Sequence, residues 1–146
     1  MRISKKAEYA LRALVAIARQ PRSWPIQELS TQENIPVKFL EQILLALRHA
    51  GILASKRGVG GGYTLLKPAD RISLGEVLRV LDGPLAPVAC AAERPTEHCT
   101  CPDPRTCRLR LTMLIVRRDL SGILERRTIE DMLRLTPDED ALAFEI

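Results

Sequence analysis

Apolar residues recur along the first third of the chain at the three- and four-residue steps of a helix. Ala7, Leu11, Leu14 and Ala18 make one stripe, with Lys5, Glu8 and Arg12 off it. The pattern predicts a helix capped by Ser4 and running to about Arg19. The segment Pro21-Arg-Ser-Trp-Pro25 breaks it, because proline lacks an N–H and clashes with the preceding turn. Pro25 opens a short second helix, IQELSTQEN, and Asn34 and Pro36 punctuate a tight turn. Leu40, Ile43, Leu44 and Leu47 form the inner stripe of a third helix over residues 37–50, so Lys38, Glu41, Gln42 and Leu45 point outward. Gly51 stands where a left-handed helix end is easiest. The pattern then changes to strands: residues 52–56 and 63–66 read as a hairpin around a glycine-rich turn over residues 58–62.

Helix, short helix, turn, helix and hairpin is the order of a winged helix-turn-helix. The expected class is mainly α with a small β-hairpin wing. In helix-turn-helix readers the second helix of the motif offers its N-terminal side chains to base edges. Here those are Lys38 and Gln42, with Val37 and Phe39 beside them. Gln pairs two ways with adenine, Lys38 suits guanine or a phosphate, and Glu41 accepts from cytosine or orients a neighbouring contact. The run G-V-G-G-G ends in Gly-Tyr-Thr, so it is not a P-loop. Tyr63 stands where a dinucleotide fingerprint needs its last glycine. A sharp wing turn explains the run, with Gly58 and Gly60 among the DNA-facing positions. Arg57 at its base enters the minor groove or clamps a phosphate. Arg2, Lys5 and Lys56 are the expected phosphate contacts.

Beyond Pro68, Ser73-Leu-Gly-Glu76 reads as a capping box that starts a helix to about Leu81, which Asp82-Gly83-Pro84 stops. A proline-rich loop follows, and Asp103-Pro104 reads as the start of a last long helix to about Arg127. On it Leu109, Met113, Val116, Leu120 and Leu124 form a narrow near-heptad seam. Such a seam suits a dimer interface, because helix-turn-helix readers commonly bind paired half-sites. The alternative is that it covers the chain's own first domain. Thr128 caps a final short helix, and the tail from Thr136 is acidic and expected to be mobile. The resulting division is a DNA-binding domain over 1–82, a cysteine-rich sensor loop over 83–103, dimerisation helices over 104–135 and the tail over 136–146.

Charge follows the same division. Residues 1–71 hold 12 Lys and Arg against 5 Asp and Glu, and residues 72–146 hold 10 against 13. A basic half joined to an acidic half fits a polyanion reader with a separate module. No apolar run approaches the ~18 residues of a membrane span. Glu8, Arg12 and Arg19 interrupt the N-terminal apolar stretch, so a signal peptide is not expected. The expected compartment is the cytoplasm, with no membrane partner.

All four cysteines, Cys90, Cys99, Cys101 and Cys107, lie in one segment. In a reducing compartment, clustered thiols are more often metal ligands or redox groups than structural disulfides. Thiolates suit iron–sulfur clusters and Zn²⁺. With Asp103 as the cap, Cys107 falls on the first turn of the last helix, where the dipole and Arg105, Arg108 and Arg110 favour a thiolate. His98 is either a metal ligand or a solvated loop histidine. Cys-x-Cys can also exchange disulfides, yet no thioredoxin-like strand and helix surround it, so an enzyme is not expected.

The stretches MRISKKAEYALRAL, FLEQILLALRHAGIL, KRGVGGGYTLL and SLGEVLRVLDG, with the cysteine segment in register after them, carry a family resemblance. Over residues 1–135 the chain resembles the IscR, NsrR, RirA and CymR group of bacterial winged-helix regulators. The resemblance implies a homodimer on a palindromic DNA operator and, in many members, an iron–sulfur cluster, here most simply 2Fe–2S. Cys90, Cys101 and Cys107 match its three cysteine ligands, although the gap from Cys90 to Cys101 is longer than usual. The family's fourth ligand varies. Arg110 stands where some members have histidine, Glu8 matches an acidic ligand supplied by the partner subunit's first helix, and Cys99 is an additional thiol. Four cysteines, or three with Glu8, both remain open, as do zinc and a purely thiol-based switch. The function expected is a DNA-binding regulator, a repressor, controlled at the cysteine loop. The alternative is a zinc-stabilised winged-helix module that binds a partner protein.

Overall fold

In the computed structural model, which describes residues 3–94 and 99–135, the first helical pattern becomes α1 (Lys5–Arg19). The Ser4 hydroxyl accepts a 3.1 Å hydrogen bond from the Ala7 amide, satisfying one of the orphan donors of the first turn. Ala7, Ala10, Leu11, Ala13, Leu14, Ala16 and Ile17 are buried, so the inner face is wider than the stripe of four suggests. The small alanines let neighbouring helices approach α1 closely. Arg2, His98 and the tail from Thr136 lie outside the described residues.

α2 (Ile26–Glu33) ends at Asn34, which takes the left-handed conformation at φ 51°, ψ 50°. α3 (Val37–His49) buries Leu40, Ile43, Leu44 and Leu47, the four positions expected inside. Gly51 follows at φ 76°. The hairpin is β1 (Leu53–Lys56) against β2 (Gly62–Leu65), antiparallel, with Leu53 opposite Leu65 and Lys56 opposite Gly62.

The segment expected only to break the first helix does more. Trp24 is fully buried and pairs with Tyr63 by two backbone hydrogen bonds of 2.9 Å, adding a one-residue third edge to the wing. Its indole N–H donates to the Gln20 carbonyl at 3.1 Å, as a buried tryptophan requires. Gly62 is fixed by this pairing: a Cβ there would lie 2.4 Å from the Trp24 backbone.

A 3₁₀ turn over Ala69–Arg71 precedes α4 (Leu74–Asp82). Ser73 caps α4 through the Glu76 amide at 3.0 Å, but only half of the expected capping box forms. The Glu76 carboxylate turns instead to Lys67 at 2.6 Å. A second 3₁₀ turn, Ala89–Ala91, carries Cys90. The last long helix, α5 (Arg108–Arg126), starts later than Asp103-Pro104 indicates. Asp103 instead closes a separate turn, accepting from the Arg105 amide at 2.9 Å and from the Thr106 amide at 3.3 Å, and Cys107 becomes the N-cap.

α6 (Ile129–Arg134) turns back onto α1, and Ile129 is fully buried in the same core as Leu14 and Leu44. Thr128 and Asp131 form a complete capping box. Backbone bonds from Leu74 to Arg127 and from Ile129 to Ile72 lock the α5 to α6 junction onto α4. The expected α5 seam divides. Leu124 packs on the core, while Leu109 and Val116 stay 59% and 41% exposed, joined by Ile123 at 52%. Among the described residues no helix is long and apolar enough to cross a membrane.

Candidate nucleic-acid interface and cysteine site

Burying Leu40, Ile43, Leu44 and Leu47 fixes the rotation of α3. Lys38, Glu41 and Gln42 are consequently exposed, while Val37 and Phe39 are half-buried at the helix start. Phe39 turns toward α1 and meets Tyr9 edge to face, with ring centroids 5.7 Å apart and planes at 89°. Lys5 and Arg12 both approach the Tyr9 ring, at 5.4 and 5.5 Å from its centroid, in cation–π contact. A shallow cleft of about 410 Å³ results, lined by Lys5, Tyr9, Pro36, Lys38, Phe39 and Gln42. The structure thus gathers Lys5, Lys38, Phe39 and Gln42 on one face. Tyr9 escaped the sequence reading. Its signal was an aromatic residue lying off the inner stripe of an otherwise small-residue helix.

The wing presents a second basic edge. Lys56, Arg57, Gly58 and Gly60 are all exposed, and Val59 stands at the apex in full contact with solvent. Gly58 and Gly60 hold φ of 91° and 72°, which side-chain-bearing residues rarely adopt. Arg48 donates to the Ser55 hydroxyl at 3.1 Å and ties the end of α3 to β1.

The cysteines lie between the Ala89–Ala91 turn and the start of α5. All four are free and partly exposed. Three of them form a chain: the Cys101 amide donates to the Cys99 sulfur at 3.4 Å, and the Cys101 and Cys107 sulfurs are 3.5 Å apart. The Cys101 thiol donates to Cys99 and contacts Cys107, which pushes its own pKa up to about 12. The same bond from Cys101, then the Cys101 amide, lowers the pKa of Cys99. Cys107 caps α5 without a hydrogen bond of oxygen-cap geometry, as expected of a larger sulfur. The backbone N–H of Arg110 faces it all the same and holds its pKa below the ordinary thiol value. The expected thiolate bias at Cys107 therefore arises from a cap position and not from the first turn.

Two arginines of α5 grip the Cys90 turn. Arg110 donates to the Cys90 carbonyl at 3.1 Å, and Arg117 donates to the Ala91 carbonyl at 2.9 Å. Glu8 lies elsewhere on this chain, paired with Lys5 at 2.9 Å and with Arg12 at 3.8 Å. Among the described residues, no three His, Cys, Asp or Glu side chains converge on a point that would hold one metal ion. The donor set nevertheless suits iron–sulfur chemistry, being four soft sulfurs strung along one loop.

A family model described as Rrf2, an iron-dependent transcriptional regulator, matches residues 3–135. An rrf2-like helix-turn-helix regulator of Rhodobacter capsulatus is 39% identical over 137 residues, covering 90% of this chain and 91% of that protein. The structure of CymR, the global cysteine regulator of Bacillus subtilis, superposes with a TM-score of 0.74 at 29% identity, over 93% of this chain and 98% of that one. IscR of T. potens shares the fold, with a TM-score of 0.70 at 23% identity over 92% of this chain and 87% of that one. The helices and hairpin described above are therefore a winged helix-turn-helix, and the family and its neighbours are regulators of transcription, not enzymes. With nearly its whole length matched, this chain belongs to the Rrf2 family of transcriptional regulators.

Proposed function

We propose that the protein is a cytoplasmic homodimeric repressor that binds a palindromic operator on double-stranded DNA under the control of its cysteine site. Residues 1–82 read the DNA, residues 83–103 sense, and residues 104–135 pair two chains through α5 while α6 packs back on α1. Lys38 and Gln42 read the major groove, Arg57 anchors the wing, and Lys5, Lys56 and Arg2 contact phosphates. Val37, Phe39, Gly58 and Gly60 complete the DNA face. The observation that carries the reading is the grip of Arg110 and Arg117 on the Cys90 turn. It joins the thiol chain to the helix that carries the exposed seam, so a change at the sulfurs alters how two reading heads are spaced.

The group we assign to the site is an iron–sulfur cluster, most simply 2Fe–2S, held by Cys90, Cys101 and Cys107 with Cys99 or the partner's acidic residue equivalent to Glu8 as the fourth ligand. When bound it would supply a redox- and iron-responsive anionic centre. The helix start at Cys107 and the guanidinium of Arg110 favour negative charge there. The match to an iron-dependent family of regulators favours an iron–sulfur cluster over one tetrahedral Zn²⁺, for which four cysteines could also serve.

Anaerobic purification followed by visible absorption and iron, sulfide and zinc analysis tests the cofactor. Colour with iron and sulfide in equal amounts is expected, and a colourless protein holding one zinc per chain would refute it. Titrating operator and random duplexes at increasing salt tests the DNA reading. Affinity should fall steeply with salt for both, with the operator favoured. A salt-insensitive interaction with another protein would instead support a zinc-stabilised interaction module.

A further inference from the structure

We propose that the cleft between α1 and the start of α3 is a specificity pocket for the 5-methyl group of an operator thymine. The inference rests on the DNA reading above. Its walls are carbon, from the rings of Tyr9 and Phe39 and from Pro36, while Lys5, Lys38 and Gln42 form the rim. No carboxylate lines it, although Glu8 beside it pairs with the Lys5 ammonium at 2.9 Å, and the exposed Lys38 ammonium on the rim matches a phosphate flanking a groove-bound helix. The cleft is shallow and open on one side, which suits the edge of a stacked base and not an enclosed small molecule. Thymine alone among the standard bases presents a methyl group in the major groove. Its partner adenine presents the two groups that the Gln42 amide can pair with. Gln42 and the apolar walls therefore favour the same A·T step from two sides.

Tyr9 and Phe39 pack in part against the core, but burial does not consume them. Trp24, whose role is packing, is fully buried, whereas Tyr9 and Phe39 remain half-exposed at the mouth of the cleft. The edge-to-face contact and the cations over Tyr9 hold the two rings in a fixed corner, so the shelf is formed before DNA arrives.

The test uses the whole chain. An operator is selected from a random duplex pool, and each thymine is then replaced in turn by deoxyuridine, which removes only the methyl group. One thymine per half-site should cost about three- to tenfold in affinity, the effect of one buried methyl. Phe39→Ala should bind the thymine and uracil duplexes equally. Pro36→Ala serves as the second variant should Phe39→Ala lose its fold by circular dichroism. Enrichment of an operator with no thymine penalty overturns this inference alone, as does a penalty that both variants retain. A pool from which no duplex is enriched overturns it together with the DNA reading.

Discussion

Replacing Val116 by aspartate places a carboxylate at the centre of the α5 seam, seven residues from Leu109 and from Ile123. Those three side chains are 41%, 59% and 52% exposed in the single chain. Full burial of such a side chain stabilises by ~1.5–3 kcal/mol, so covering the half that remains gives about 1 kcal/mol each. A twofold pairing of α5 helices covers each residue twice. Val116→Asp therefore removes about 2 kcal/mol of apolar burial from the pair. It also brings two unpaired carboxylates into a drying seam, which adds further cost. The dimer should weaken by at least about 30-fold. Sedimentation equilibrium over a concentration series measures this, and operator affinity should fall in parallel. Val116 is 41% exposed and lies outside the core cluster, so the monomer's helical signal should be preserved. A variant that dimerises as tightly as the native chain would refute the use of this seam.

Further outcomes follow from single contacts. Gly62→Ala sets a Cβ 2.4 Å from the Trp24 backbone at φ 150°, and should destabilise the wing by about 1–3 kcal/mol and weaken DNA binding, read by denaturant melts and by polarisation. Asp131 has its pKa lowered, chiefly by the Thr128 amide, so its stabilising contribution is present above the ordinary carboxylate pKa and is lost as pH falls through the lowered value. The gap in Tm between native protein and Asp131→Asn should accordingly hold from pH 7 to 5 and shrink below about pH 4. In metal-free protein, iodoacetamide should label Cys99 and Cys107 before Cys101, whose pKa is pushed up to about 12 by its bond to Cys99; peptide mass spectrometry that finds Cys101 first contradicts the thiol order.

The elements with a sustained period were legible in the chain. α1, α3 and the hairpin each repeat an apolar spacing over several turns or residues, and the inner face of α3 matches the four leucine and isoleucine positions expected. The contacts that were not legible are long-range or depend on one residue. Trp24 pairs with Tyr63 across 39 positions through backbone atoms alone, which leaves no periodic trace in side chains. The return of α6 onto α1 rests on the buried Ile129, with Met132 packed on the same core, too few positions to show a period. The start of α5 went to Cys107 because the Asp103 carboxylate was taken by its own turn, a local competition that cap preference does not resolve. At the candidate sites, Lys38, Gln42 and the four cysteines announced themselves by type and spacing. Tyr9 did not, since its partner Phe39 belongs to another helix. The grip of Arg110 and Arg117 was equally hidden, because both act on backbone carbonyls.

The central claim is that the cysteine site governs the DNA face. It is tested most directly by operator affinity measured on one anaerobic preparation before and after the cysteine-bound group is removed by chelation or oxidised. The account predicts at least about a tenfold change in operator affinity, ~1.4 kcal/mol. It also predicts that affinity for random DNA, set by the phosphate contacts, stays nearly constant. Identical operator binding in both states would contradict it.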